Sequence, residues 1–161
     1  MPAPLFLAGA VRTPIGKFGG PLAPLSAPDL GVAAAKEALA RAKVPATAVD
    51  ETIFGHGRQG GQGPGTGRQV SVRAGVPVEV PAWTVNMACG SSLKAVMLAA
   101  EAIAAGRADV VLAGGMESMS NTPYLLPRAR WGYRLGNDQV VDGMYRDGFH
   151  CMLANQLMGE T

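Results

Sequence analysis

The stretch TVNMACGSSLKAVMLAAEAIAAG, residues 84–106, decides the fold of this protein. It begins with residues typical of a strand and passes through small residues around Cys89. Apolar residues at helical spacing follow, which predicts a helix over residues 91–105 that Gly106 ends. A cysteine therefore stands where a strand gives way to a helix.

The predicted helix is apolar on nearly every face. Between Leu93 and Ile103 only Lys94 and Glu101 are charged, and their spacing places both on one narrow face. A helix of this kind lies inside a layered structure rather than on its surface. We therefore expect the helix to be covered on all its other sides.

Cys89 lies directly before the start of that helix. Unpaired amides and the helix dipole at this end favour an anion, and the thiolate is the nucleophilic form of cysteine. The same amides are suited to an oxyanion on an attacked thioester. Gly90 permits a tight turn, and Ser91 and Ser92 are expected to cap the free amides. Cys89 as a small buried hydrophobic residue is the alternative, and the spacing alone leaves both open.

Strand and helix patterns alternate on both sides of this stretch. Ser26 is the predicted N-cap of a helix that ends near Val44, with Asp29 completing a capping box. A second, short helix is predicted over residues 68–74. This alternation predicts βαβ units and a mostly parallel α/β sheet. The predicted strands are residues 4–11, 52–55, 83–87 and 108–115.

The pattern changes after residue 121. Residues 124–148 are rich in Arg, Gly, Tyr and Asp without periodicity, which predicts a loop region or small subdomain laid over the sheet. Residues 149–161 predict the start of another helix. We therefore divide the chain into a core of residues 1–121 and a second segment of residues 122–161. Because nothing closes that last helix, we expect the chain to be the front part of something longer.

The composition excludes several classes of function. A chain of 161 residues with 48% apolar residues fits one domain with a real core. The net charge of +2 is too weak to indicate a nucleic-acid partner. No apolar run approaches the roughly 18 residues of a membrane span, and the N-terminus is not a convincing signal peptide. The two cysteines, which lack a short spacing, predict reduced thiols and a cytoplasmic location.

Four other patterns suggest alternative functional sites, which the sequence supports less well. GHGRQG (55–60) matches a dinucleotide-binding spacing, but the glycines and proline that follow leave no helix to complete it. His56 is interpreted as a hydrogen-bonded structural residue. His150 and Cys151 form a poor metal site because a third ligand is lacking, and Cys151 is assigned to packing rather than to base catalysis. PRARWGYR (127–134) is interpreted as a solvated or subunit-contacting loop.

Three motifs together resemble the thiolases, which transfer acyl groups between coenzyme A thiols. They are LAGAVRTPIGKFGG (7–20), VNMACGSSLKAV (85–96) and AGGMESMSNTPYLLP (113–127), and they span most of the chain in order. The resemblance implies a layered α/β/α/β/α fold built from two similar halves. The chain then represents the first half, with part of the loop domain inserted in it.

The resemblance also implies a mechanism. Cys89 matches the family's nucleophile, which takes the acyl group from an acyl-CoA, and a second cysteine then deprotonates acetyl-CoA. No metal or redox cofactor is implied. The family's activating histidine, second cysteine and asparagine-held oxyanion site belong to the second half, so these roles are not transferred to His56, His150 or Cys151. We expect these 161 residues alone to be inactive.

The resemblance further implies a substrate contact and an assembly. In short-chain thiolases the loop domain has a His-Met-Gly motif near the substrate, and Leu157, Met158 and Gly159 match it. Met158 is carried over as a substrate-binding residue, whereas the histidine is not. The substrate is thus acetoacetyl-CoA or a longer 3-ketoacyl-CoA of fatty acid metabolism. Thiolases are dimers or tetramers, and the third strand with the glycine-rich loop matches the dimer contact.

Two further functions remain open for such a sequence. One is a decarboxylating condensing enzyme of the ketoacyl synthase type, which shares the cysteine turn. The other is a truncated thiolase half that binds partners without catalysis.

Overall fold

The protein forms three layers in which helices cover both faces of a parallel sheet. The computed structural model describes residues 4–161. The main elements are α1 (Ala27–Ala42), β1 (Glu51–Gly55), α2 (Thr66–Arg73), β2 (Ala82–Val85), α3 (Ser91–Ala104) and β3 (Val111–Gly115). The alternation of strands and helices predicted from the sequence is therefore confirmed for these six elements.

The sheet has the order β2-β1-β3, and both pairings are parallel. Successive side chains of β1 point to opposite faces, as the period of a strand requires. Phe54 joins the core formed with α1 and α2, whereas Ile53 packs with Ala95 and Ala99 of α3. The small alanines allow α3 to lie close against the sheet, and Ala95 is fully buried.

Helix α1 begins as its sequence predicts. The Ser26 side chain accepts a hydrogen bond from the Asp29 amide, and the Asp29 carboxylate accepts one from the Ser26 amide. The helix ends at Ala42, where Lys43 adopts a left-handed conformation. Both halves of the capping box are thus present.

Helix α3 differs from its prediction. Its buried stripe is narrow and consists of Ser91, Ala95, Ala99 and Ala102, whereas Leu93 and Met97 are 66% and 47% exposed. Within residues 4–161, the helix is covered by the sheet on one side only. The expectation that it is covered on all its apolar sides is therefore wrong for this structure, because no second layer packs on its outer face.

The predicted strand at residues 4–11 is also absent from the structure. Gly9, whose φ is +63°, lies against α1, where a Cβ on it would be 2.2 Å from the Ala38 carbonyl oxygen. The segment does not pair with the described sheet. Phe6 and Leu7 are left 82% and 89% exposed.

The second segment has only short elements. Two antiparallel pairs join β4 (Tyr124–Leu125) with β5 (Val141–Asp142) and β6 (His150–Cys151) with β7 (Gln156–Leu157). A π-helical turn, Tyr145–Phe149, lies between them. The helix predicted from residue 149 onward is wrong, because the chain reverses within residues 152–155 and pairs with itself.

No helix of the described residues is long and apolar enough to cross a membrane.

Candidate active site

Polar side chains converge at the carboxyl edge of the sheet. His56 follows β1, Asn86 follows β2 and Glu117 lies just beyond β3. The carboxyl ends of parallel strands meet at one edge, which is where open α/β sheets bind their ligands. The three residues line one cleft of about 870 Å³ together with Cys89.

Cys89 is exposed in a turn between β2 and α3. The alternative that it is a small buried residue is therefore wrong. Ala88 precedes it with a φ of +47°, a left-handed conformation that alanine rarely adopts. The turn thus holds the Cys89 thiol in the cleft, one residue before Gly90, the N-cap of α3.

The serines after Cys89 do not act as predicted. The N-cap of α3 is Gly90, and the structure shows no side-chain cap there among the described residues. The Ser91 hydroxyl instead donates to the Ala88 carbonyl oxygen at 2.6 Å and accepts from the Met87 amide at 2.9 Å. Ser91 therefore stabilises the turn, as do the Gly90 and Ser91 amides, which donate to the Met87 and Ala88 carbonyl oxygens.

His56 is a structural residue, as predicted. It is 1% exposed, and its Nδ1 lies 3.0 Å from the Thr66 hydroxyl oxygen. Its Nε2 lies 3.1 Å from Glu117 Oε1, which is ion-pair distance without the alignment of a hydrogen bond. Burial raises the pKa of Glu117, but His56 and the amides of Arg58 and Gly57 outweigh it, so the pKa lies below its usual range. Glu117 is therefore a carboxylate in the neutral range.

The second segment closes one side of the cleft. Asp147, Gly148, Phe149 and Met158 line it with Cys89. The guanidinium carbon of Arg58 lies 4.6 Å from the centroid of the Phe149 ring, a cation–π contact that joins the segment to the core. The structure thus brings Met158 and Cys89, the two predicted site residues, to the same cleft.

His150 and Cys151 lie outside this group. Both belong to β6, and neither lines the described cleft. Within residues 4–161, no group of three or more His, Cys, Asp or Glu side chains is placed to hold a metal ion. The dinucleotide spacing at residues 55–60 is not followed by a helix until Thr66. Cys89 therefore remains the candidate catalytic residue.

Sequence reasoning missed Asn86 and Glu117. Each lies in a motif that was interpreted as a whole, VNMACG or GGMES, without a role for the polar residue. A usable signal existed for Glu117, which follows the predicted parallel strand at residues 108–115 by two residues. Asn86 falls inside the predicted strand at residues 83–87, and only the observed end of β2 at Val85 places it at the edge of the sheet.

Comparisons with known proteins agree with this architecture. Residues 5–161 match the thiolase N-terminal domain family. The chain is 48% identical over 155 residues to an acetyl-CoA acetyltransferase of Cupriavidus necator, and 49% identical over 156 residues to that of Escherichia coli. Each match covers 96% of this chain. The chain belongs to the thiolase family.

Solved structures give the same result. The chain superposes on a thiolase of Ascaris suum, Acat5, determined in complex with coenzyme A, with a TM-score of 0.89 and 41% identity over 92% of this chain. An acetyl-CoA acetyltransferase of Syntrophomonas wolfei gives a TM-score of 0.85 and 38% identity. The predicted thiolase-like α/β fold is therefore confirmed. The chain spans 39% and 40% of the length of the two curated relatives named above.

Proposed function

We propose that the protein carrying this chain is a thiolase that makes or cleaves a 3-ketoacyl-CoA through an S-acyl intermediate on Cys89. The observation that carries the proposal is the exposed Cys89 thiol in a cleft at the carboxyl edge of the sheet, at the start of α3. The dipole of α3 places partial positive charge at this end, which stabilises negative charge that develops beside it during acyl transfer.

The first half-reaction is a thioester exchange. The Cys89 thiolate attacks the carbonyl carbon of the acyl-CoA, and the bond from this carbon to the coenzyme A sulfur breaks. The coenzyme A sulfur leaves with the electron pair and takes up a proton in place of the one that the Cys89 thiol gave up, while the acyl group stays on Cys89. In synthesis, the α-carbon of acetyl-CoA gives up a proton to a base and attacks the acyl carbon, and the bond from that carbon to the Cys89 sulfur breaks with its electron pair returning to Cys89. The covalent intermediate thus splits one difficult step into two.

Met158 is the proposed substrate contact in the second segment. It is 44% exposed and lines the cleft that holds Cys89. A flexible thioether adapts to an apolar acyl chain or to the pantetheine arm. The relative of Ascaris suum was solved with coenzyme A, which supports coenzyme A as the ligand here. Acetoacetyl-CoA and longer 3-ketoacyl-CoA substrates both fit this proposal.

An activity assay tests it. In the full-length gene product, Cys89→Ala is expected to lower thiolysis of 3-ketoacyl-CoA substrates of graded length by roughly 10³-fold or more. Cys151→Ala is the matched control and is expected to retain wild-type rates. Normal turnover by Cys89→Ala would show that another group carries the acyl transfer.

We further propose a homodimer or homotetramer that uses β2 and the glycine-rich loop. Within residues 4–161, β2 pairs with β1 alone, so its outer edge is open, and Trp83 on it is 37% exposed. An open strand edge is a template for pairing with another chain. Sedimentation of the full-length gene product should show a dimer or tetramer, and a stable monomer would contradict this assembly.

A further inference from the structure

Asn86 joins two turns at the carboxyl edge of the sheet. Its Nδ2 donates to the Gly57 carbonyl oxygen at 2.9 Å, in the turn after β1. Its Oδ1 accepts from the Ala88 amide at 3.0 Å, in the turn that carries Cys89. The second bond is an Asx-turn, in which a side-chain oxygen holds the backbone two residues further on.

The Ala88 backbone needs such support. A left-handed conformation is unfavourable for a residue with a side chain, and Ala88 has a φ of +47°. Asn86 holds the amide of Ala88, and Ser91 holds its carbonyl oxygen at 2.6 Å. Because Cys89 is the next residue, the orientation of Ala88 sets where the Cys89 thiol points.

The turn on which Asn86 acts is itself fixed by Glu117. The Glu117 carboxylate accepts from the Gly57 amide at 3.0 Å and from the Arg58 amide at 3.2 Å. A Cβ on Gly57 would lie 2.8 Å from Glu117 Oε2, so a larger residue there would displace this carboxylate from the two amides. The buried His56 holds Glu117 from the other side. An unbroken series of contacts thus runs from His56 to the residue before Cys89.

We propose that Asn86 is a positioning residue for the Cys89 thiol, and that the His56–Glu117 pair holds the turn on which Asn86 acts. The inference rests on the proposed function only in taking Cys89 as the nucleophile. Asn86 acts through the backbone of Ala88 and not through the reacting atoms. Its loss therefore changes how often the thiol is in the reactive orientation, and leaves substrate affinity in place.

The primary variant is Asn86→Ala in the full-length gene product. Misplacing a reacting group by about 1 Å costs on the order of 100-fold in rate, so kcat for thiolysis is expected to fall by roughly 10- to 100-fold. KM is expected to change by less than about twofold, because the hydrogen bonds of Asn86 to Gly57 and Ala88 do not hold the substrate. Glu117→Gln, which keeps acceptor oxygen but loses charge, is expected to give a smaller fall in kcat.

A second substitution distinguishes positioning from general stability. Glycine adopts positive φ about as readily as negative φ, so Ala88→Gly removes the strain that Asn86 offsets. In the Asn86→Ala background, Ala88→Gly is therefore expected to recover part of the lost kcat. Asn121→Ala is the matched control, because Asn121 makes a comparable set of bonds, to Ala23, Leu25 and Ser118, without touching this turn. Its kcat is expected to stay within about twofold of wild type.

Alkylation of Cys89 by iodoacetamide gives a readout that does not depend on thiolase activity. Asn86→Ala is expected to change the rate at Cys89 several-fold, while the rate at Cys151 in the same sample stays constant. An unchanged Cys89 rate and kcat, a loss confined to KM, or no recovery with Ala88→Gly would overturn the inference. If instead Cys89→Ala is fully active, the proposed function fails while the alkylation result still decides the role of Asn86. Should Asn86→Ala not fold, Glu117→Gln decides by the same measurements.

Discussion

Cys89 and Cys151 lie in two different kinds of structure. Cys89 stands between a central sheet and a buried helix face, in a turn held by Asn86 and Ser91, and its thiol is exposed to a large cleft. Cys151 belongs to a hairpin of two-residue strands, and its Sγ accepts a hydrogen bond from the Ala154 amide at 3.4 Å. The same side chain therefore has different surroundings in the two places.

The difference follows from topology. Parallel strands of distant sequence bring their carboxyl ends together, so residues 56, 86, 89 and 117 meet in one cleft. The hairpin joins residues that are already neighbours in sequence. Chemistry that needs several groups at one point is thus built on the sheet, while the second segment supplies a wall of the cleft.

The largest contrast expected between the two regions is in stability. Ile53, in the central strand, is 1% exposed, whereas Leu153, in the hairpin turn, is 99% exposed. Ile53→Ala is expected to lower the free energy of unfolding by about 2–5 kcal/mol, and Leu153→Ala by less than about 0.5 kcal/mol. Urea denaturation of the two variants checks this. Equal losses would show that the hairpin belongs to the same core as the sheet.

A smaller contrast in stability is expected within α1, between two of its carboxylates. Hydrogen bonds from Arg73 and from Ser26 lower the pKa of Asp29 to about 2, although the carboxylate is partly exposed. A lowered pKa means that the stabilisation is complete above the ordinary value of 3.8 and is lost as the pH falls towards 2. Asp29→Asn is therefore expected to cost about 1 kcal/mol at neutral pH, after allowance for solvent screening, and almost nothing near pH 2.

The exposed pair of Glu37 and Arg41 is the control for this measurement. It lies on the same helix with side chains 52% and 60% exposed, so Glu37→Gln is expected to cost only about 0.3 kcal/mol. Urea denaturation at several pH values separates the two. An Asp29→Asn cost that does not vary between neutral pH and pH 2 would contradict the assigned cause.

Local patterns predicted the elements of the core well. The capping box of Ser26 and Asp29 and the helix after Cys89 depend on contacts between near neighbours, so the sequence contains what is needed to find them. The predicted site residues Cys89 and Met158 came from a local turn and from a family resemblance respectively. The structure places both in one cleft, while their roles stay proposals.

What could not be predicted depends on distant contacts. Residues 4–11 have the composition of a strand, but a strand also needs a neighbouring strand, and the described sheet offers them none. Leu93 and Met97 have the pattern of buried residues, but burial needs a layer that the described residues do not supply. The hydrogen bonds of Asn86 and Glu117 to Gly57 join residues that lie far apart in sequence. They form only when the parallel register of the strands brings these residues together.

The central claim is that Cys89, and not Cys151, receives the acyl group. The most direct test incubates the full-length gene product with acetyl-CoA, quenches it in acid and maps the acetylated peptide by mass spectrometry. We expect the acetyl group on the peptide that contains Cys89, with none on the peptide that contains Cys151. An acetylated Cys151, or label retained in Cys89→Ala at the wild-type level, would contradict the account.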